Sequence, residues 1–416
     1  MSTLGPDERS PARTRLAAVL SWLLLLLIGL ALHFGGALTG YERAVSGLWH
    51  RQAGQRSEVQ HVAIVGIDER ALQARPDEPL AFWTPHIARA LNVLQQVDAK
   101  VVAIDMLFSV SAEAWLGKAG LAAPEQARTF DRPFRLALAE GRVLLTAFAT
   151  DQQADEVLLP NNDYWLALPQ LLEQVALSNL EYDDDGVLRR FRLLSDRAEA
   201  PRVFLGPLLA AQASGQQLDA AVWQLGGRPR SAASSATALP FCGPPGTVPV
   251  LSMEKLLADG AAQDPQVRAL AGKVVLLAAT YHAAQDVHLT PYAPELMNGA
   301  EIHAQIAEAL LTGRATSDLP PWQQALIMAV MAAFAVGLSR RQMGTARGAM
   351  WAIAGVLCLS GLSYGAFLGD LHFAAGGAQA TLVAGYVLGL AMSLRGSERR
   401  RAALKKMFGR YVSDEV

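Results

Sequence analysis

Four long apolar stretches, one near the amino end and three close together near the carboxyl end, constrain this chain more than any other feature. The first, residues 16–38, contains the leucine run 23–27 and no ionisable side chain other than His33. At ~1.5 Å rise per residue it is long enough to cross a ~30 Å hydrocarbon core. Residues 322–338, 349–368 and 372–394 are three further candidates. The stretch 322–338 is the shortest of these and is expected to stand close to the bilayer normal. Backbone polar groups in lipid must bond to one another, so each stretch is predicted to be a helix. Gly361, Gly365, Gly376, Gly377 and Gly385 predict close helix packing there. The competing reading of 16–38 is a cleaved signal peptide. Its apolar run exceeds the usual ~7 to 15 residues and no small-residue cleavage site follows, so it is read as a retained anchor.

Basic residues set the expected orientation. Arg9, Arg13 and Arg15 precede the first stretch, and Arg340, Arg341 and Arg347 separate the second from the third. Arg395, Arg399, Arg400, Arg401, Lys405, Lys406 and Arg410 follow the fourth, while the turn 369–371 has no Lys or Arg. The positive-inside tendency then puts residues 1–15 and 395–416 in the cytoplasm and 39–321 outside, in a multi-pass protein of the inner (plasma) membrane. The basic residues at the ends thus have a topological cause. With a net charge of -2 over 416 residues, nothing in the balance indicates nucleic acid. The two cysteines, Cys242 and Cys358, fall in the outer segment and in the third apolar stretch, which excludes an intrachain disulfide or a cysteine-rich metal centre.

The outer segment alternates strand and helix signals. Residues 61–68 (HVAIVGID), 101–107 (VVAIDML), 142–148 and 273–280 (KVVLLAAT) read as strands buried on both faces; 83–98, 130–140, 203–214 and 301–311 carry helical spacing. In the last of these Ile302, Ile306 and Leu310 are expected to share one face. Ser252 is a plausible N-cap for a helix over 252–259. A β-hairpin is expected with arms 177–182 and 187–194 around Asp183, Asp184, Asp185 and Gly186, and 226–246 is read mostly as loop. The predicted fold is α/β: a mostly parallel, doubly wound sheet with flanking helices and a hairpin, plus four transmembrane helices, one before it and three after.

Asp68 and Asp105 each end a predicted parallel strand, and Thr280 and Tyr281 follow a third. Ligands collect at the carboxyl ends of such strands, so these four are the candidate ligand-binding residues; the plainer alternative has the aspartates capping helices or bonding loop backbone. His282, Asp286, His288, Glu301 and His303 supply metal-type donors, but their spacing matches no ligand frame and Glu301 suits a helix start, so no metal and no cofactor is assigned. The Asp183–Asp185 triplet is read as a polar turn rather than a calcium loop, with Arg189 and Arg190 pairing nearby carboxylates or touching lipid headgroups. Walker A, HExxH, CxxC and EF-hand patterns do not occur, and the GxSxG match GLSYG (361–365) lies inside the apolar stretch 349–368 rather than on a strand-to-helix elbow, which favours binding over catalysis. In 397–411, Leu404, Met407, Phe408 and Tyr411 recur at three- and four-residue steps. That fits a signal-transmitting helix continuing from the last span into a dimeric coiled coil, or a basic helix lying on anionic lipid.

Six segments together resemble the CHASE2 extracellular sensory domain: 62–72 (VAIVGIDERAL), 99–109 (AKVVAIDMLFS), 183–194 (DDDGVLRRFRLL), 243–257 (GPPGTVPVLSMEKLL), 270–280 (LAGKVVLLAAT) and 297–314 (MNGAEIHAQIAEALLTGR). The resemblance covers nearly the whole outer segment, and one helix before with three after is also that family's layout. Where many relatives carry a Trp-Pro-Arg-like stretch this chain reads ARPDEPLAFWTPH (74–86), and after Ala279 it is less glycine-rich, so no ligand preference is carried over. The tail 407–416 (MFGRYVSDEV) resembles the linker upstream of a class III adenylate or guanylate cyclase domain, whose metal-binding and transition-state residues have no counterpart here. The resemblance implies a sensor that acts through a homodimeric helix bundle on a cytoplasmic adenylate cyclase making cAMP, in response to an unknown outer ligand or protein. The alternatives are a scaffolding membrane protein that docks a partner outside, and an extracytoplasmic enzyme, which would need a cluster of shifted titratable groups at the strand ends.

Overall fold

The computed structural model describes residues 11–412, except 121–124, 126–128, 151–155, 198, 233–234 and 342–344, and excludes the side chains of 11–14, 399, 400, 403 and 405–412. The chain divides into two units: residues 1–49 with 317–416, and residues 50–316.

In the first unit, α1 (Pro11–Phe34) is followed by α2 (Thr39–Ala53), which carries the chain into the second unit. The predicted first span ran to residue 38, but the helix stops at Phe34. Gly36 takes φ +75 and accepts the Thr39 hydroxyl at 2.8 Å, so the chain turns before the apolar run ends. Among the described residues, four helical stretches are long and apolar enough to cross a membrane: Arg15–Phe34, Pro321–Arg340, Thr345–Leu368 and Gly376–Glu398.

The fourth begins later than the sequence suggested. Leu371 and His372 form a short strand that pairs in parallel with Ser317 and Asp318. Phe373, Ala374 and Ala375 are then buried, and helix starts only at Gly376, whose amide donates to the Glu42 carboxylate at 2.9 Å. A carboxylate there satisfies a free N–H of the first turn and faces the positive end of the helix. Gly377, Gly385 and Gly389 let that helix pack tightly: an added Cβ would meet His33, Ala335 and Ser339 respectively. Gly361 and Gly365, also expected in contacts, have nothing within 4 Å.

In the second unit, β1 (Val62–Ile67) leads through α3 (Glu69–Gln73) and α4 (Thr84–Gln96) to β2 (Val101–Asp105). Next come α5 (Ala112–Ala119), α6 (Arg132–Glu140), β3 (Val143–Ala149), β4 (Val157–Leu158), α7 (Asn162–Trp165) and β5 (Val175–Leu177). After β6 (Arg190–Phe191) lie α8 (Leu205–Ser214), the pair β7 (Val222–Leu225) and β8 (Arg228–Ser231), and β9 (Thr237–Ala238). Then follow β10 (Val250–Ser252), α9 (Met253–Leu257), α10 (Pro265–Arg268), β11 (Val274–Ala279), β12 (Val287–Leu289), β13 (Leu296–Asn298) and α11 (Gly299–Leu311). The main sheet runs β10-β1-β11-β2-β3-β4, with β5 also on β3; every pair is parallel except β3 with β4.

Strand alternation divides the core. Ile64, Ala103 and Leu276 face a layer built from α8 and α11, while Val65, Ile104 and Leu277 face α4, α6 and α9. Helices therefore cover both faces, as a parallel sheet requires.

Two local expectations need correction. The 183–186 turn forms, with Gly186 at φ +75 donating to the Asp183 carbonyl at 2.9 Å, but its arms do not make a hairpin. Leu177 is held in parallel by β3, and Arg190–Phe191 pair instead with β9, so each arm finds a better ladder elsewhere. The loop expected over 226–246 contains half of a true hairpin: Gly226 and Gly227, both at positive φ, turn β7 into β8 with Leu225 opposite Arg228. The α11 helix, expected to be buried on one side, is buried from Gly299 through Leu310.

Candidate functional site

A strand-end cluster

Because α11 has no solvent face, each of its polar side chains must find a partner indoors. Glu301 accepts the amides of Gly246 (3.0 Å) and Val248 (3.2 Å). Gln305 accepts from Cys242 N at 2.9 Å and donates to the Gly243 carbonyl at 3.1 Å. Glu308 takes the amides of Gln60 and His61 and the His61 ring at 3.0 Å. These three fasten loops to the helix. His303 is different: Nε2 reaches the Ser178 carbonyl at 3.2 Å, Nδ1 has no partner, and the residue is 2% exposed. Burial lowers its pKa to about 4, so the ring is neutral and Nδ1 is a bare acceptor.

The same alternation that sorts the core places Asp105 and Thr280 on the α11 side of the sheet. Both stand at carboxyl ends of adjacent strands, since Asp105 is in register with Ala278. Burial, reinforced by the neighbouring Asp286 charge, raises the Asp105 pKa to about 7, and among the described residues no cation or hydrogen bond offsets it. The Thr280 hydroxyl is buried without a partner, close against Gly66, where a Cβ would collide with it.

Asp286 and His288 enter from the excursion between β11 and α11. Asp286 lies over the first turn of α11, its carboxylate where a Cβ on Gly299 would be (2.5 and 2.6 Å), and its carbonyl accepts the Gly299 amide at 3.0 Å. Its Oδ1 accepts from His288 Nε2 at 2.8 Å, and that bond, ahead of the opposing desolvation, lowers its pKa. With the proton on Nε2, His288 Nδ1 accepts the Tyr182 hydroxyl at 2.6 Å. Burial, then the Asp286 charge, pushes the Tyr182 pKa up. Asp105, Asp286, His288, His303 and Tyr182 thus form one electrostatically coupled set.

Of the four residues proposed from sequence, Asp105 and Thr280 adjoin this set. Asp68 is the N-cap of α3, accepting the Ala71 amide (3.0 Å) and the Ser252 hydroxyl (2.8 Å). Tyr281 packs into the opposite apolar layer. His282 gives its backbone amide to Glu69 at 2.8 Å. Tyr182 and Ser178 carried no signal in the sequence, whereas Asp286, His288 and His303 were visible there only as loose metal-type donors. Among the described residues no group of three His, Cys, Asp or Glu has metal-binding geometry. An open cleft of about 590 Å³ lies elsewhere, at the amino end of β5 between Gln170, Arg202, Gln212 and Asp219, away from the converging strand ends.

Of the residues expected to transmit a signal, Leu404 is exposed. The side chains of Met407, Phe408 and Tyr411 lie outside the described residues.

Comparison with known proteins

No curated protein and no solved structure matches the chain. A family model for the CHASE2 domain matches residues 19–339, which include the whole strand-end cluster and most of two of the four candidate spans. The chain therefore belongs to the CHASE2 domain family and is a membrane protein with an extracytoplasmic sensory domain.

Proposed function

We propose that the outer unit reads a stimulus at the strand-end cluster and that the last helix carries the response to a cytoplasmic effector, a class III adenylate cyclase whose output is cAMP. In this reading both termini are cytoplasmic, the membrane is the inner one, and the working form is a homodimer, because class III cyclase sites form between two catalytic domains. The observation that carries it is the last helix, which runs unbroken from Gly376 to Val412. At ~1.5 Å per residue its 37 residues span roughly 55 Å, well beyond a ~30 Å hydrocarbon core. A helix of that length passes a rotation or shift from one membrane face to the other without a joint to absorb it. A stimulus works only by favouring one of two states, with coupling of typically ~1 to 3 kcal/mol.

The test is a chimera in which a class III cyclase domain of known activity follows residue 412 of this chain. Substitutions in the outer cluster, Asp105→Asn and Tyr182→Phe, are expected to change cAMP output about 5- to 150-fold at equal expression. Output indifferent to every outer substitution would leave the docking scaffold as the better reading.

A further inference from the structure

The strand-end cluster has an imbalance that protein groups do not resolve. Asp105 is a carboxylate with no cation beside it, whereas the half-exposed Asp286 carboxylate is met by His288 and the Gly299 amide. His303 Nδ1 is a buried acceptor and the Thr280 hydroxyl a buried group, both without partners. Buried polar groups in native proteins are nearly always satisfied, so several orphans at one sheet end identify a place where a ligand supplies the missing half of the bonds. Those orphans are chiefly acceptors, and the uncompensated charge is negative. The complement is a positive group rich in N–H donors. Among the described residues no three His, Cys, Asp or Glu side chains are grouped to hold a metal ion. Tyr182, 47% exposed and in ring contact with His288, brings an aromatic ring to the site, whose face suits a delocalised cation.

We propose that this cluster binds a small organic cation with N–H donors, an ammonium or guanidinium group, held by the carboxylates of Asp105 and Asp286 and by His303 Nδ1, with the Thr280 hydroxyl beside them. The inference rests on reading the cluster as the stimulus site and names the chemistry of the stimulus. Protons compete for the same carboxylates. Because Asp105 takes up a proton near pH 7 while Asp286 stays charged, occupancy falls as the medium acidifies.

The test uses the full chain in lipid nanodiscs with methylguanidinium as probe, methylurea as its neutral counterpart of the same shape, and calcium chloride as a metal control. Binding is read by titration calorimetry and by amide-exchange protection across residues 101–107 and 279–304. Methylguanidinium is expected to saturate with a Kd of ~1–10 mM at pH 8, about tenfold weaker at pH 5, where Asp105 is neutral as it is in Asp105→Asn. Methylurea and calcium are expected not to bind. Asp105→Asn and Asp286→Asn are expected to weaken binding at least about tenfold, a loss of one charge-assisted pair. Thr280→Val, nearly isosteric, serves should a carboxylate variant misfold, with a several-fold loss. Equal binding of methylurea, binding of calcium alone, no saturation by methylguanidinium, or affinity unchanged in all three variants overturns the proposal. Cation binding that leaves the chimera's cAMP output unmoved would keep this inference and sink the sensor reading; output responsive to Asp105→Asn without cation binding would do the reverse.

Discussion

Replacing Asp105 by Asn tests the electrostatics of the strand-end cluster directly. In the folded chain the Asp105 pKa stands at about 7, against 3.8 for the unperturbed side chain. Folding therefore favours the protonated form and penalises the charged one. The penalty is absent below about pH 4, grows as the pH rises between the two values, and is present in full above about pH 7. The rise from 3.8 to about 7 sets a ceiling of ~4 kcal/mol, and relaxation of the site brings the expected value to about 2 to 4 kcal/mol. Asn keeps the shape and cannot ionise. With no cation present, Asp105→Asn should stabilise the outer unit by that amount at pH 8 and by less than about 1 kcal/mol at pH 4. Amide exchange in Val101–Asp105 and Val274–Ala279, measured on the full chain in detergent, reads this opening free energy at each pH. A gain over the wild-type chain no larger at pH 8 than at pH 4, or a loss at both, would refute a partly buried and uncompensated carboxylate at this position.

Asp131 is fully buried and accepts from the Thr84 hydroxyl (2.6 Å), the Ser111 hydroxyl (2.9 Å), the Glu113 amide (2.9 Å) and the Tyr164 hydroxyl (2.8 Å). Asp131→Ala orphans all four and should lower stability by at least about 3 kcal/mol, seen as an earlier thermal transition. Gly299→Ala should push the Asp286 carboxylate off the first turn of α11 and break its bond to His288, detectable as a changed His288 ring shift in NMR titration. In the membrane unit, Gly385→Leu meets Ala335 and Leu25 and should cost about 1 to 3 kcal/mol in detergent unfolding, while Gly361→Leu, with open space around it, should be silent. Equal effects of the two glycine variants would contradict the helix packing described.

The sheet was legible in the sequence because its strands are buried on both faces and so read as unbroken apolar runs, VAIVGI and VVLLAA among them. Membrane helices were legible for the same reason, although their ends were not. The stop at Phe34 depends on a glycine turn, and the delayed start at Gly376 depends on a carboxylate more than three hundred residues away. Short ladders such as Arg190 with Ala238 escaped notice because two-residue pairings leave no periodicity. The Gly226-Gly227 hairpin, in contrast, carried a turn signal that a reading dominated by Ser and Pro passed over. At the candidate site, period two alone would have put Asp105 and Thr280 on one face. Joining them to Tyr182, Asp286 and His303 needed the tertiary fold, since those residues come from segments up to about 200 positions apart. That α11 is buried all round was hidden by its four polar side chains, which look solvent-facing until their partners are known.

Everything functional here depends on the strand-end cluster and the basic end of the last helix lying on opposite sides of the membrane. Cys242 and Cys358 are first replaced by Ala, and single cysteines are then placed at the exposed positions Gln217 and Ser397. A membrane-impermeant thiol reagent is added to cells in which the outer compartment is open to it. Labelling of Gln217→Cys before lysis and of Ser397→Cys only after lysis is the expected result. Protection of Gln217→Cys in intact cells, with Ser397→Cys labelled from outside, would contradict it.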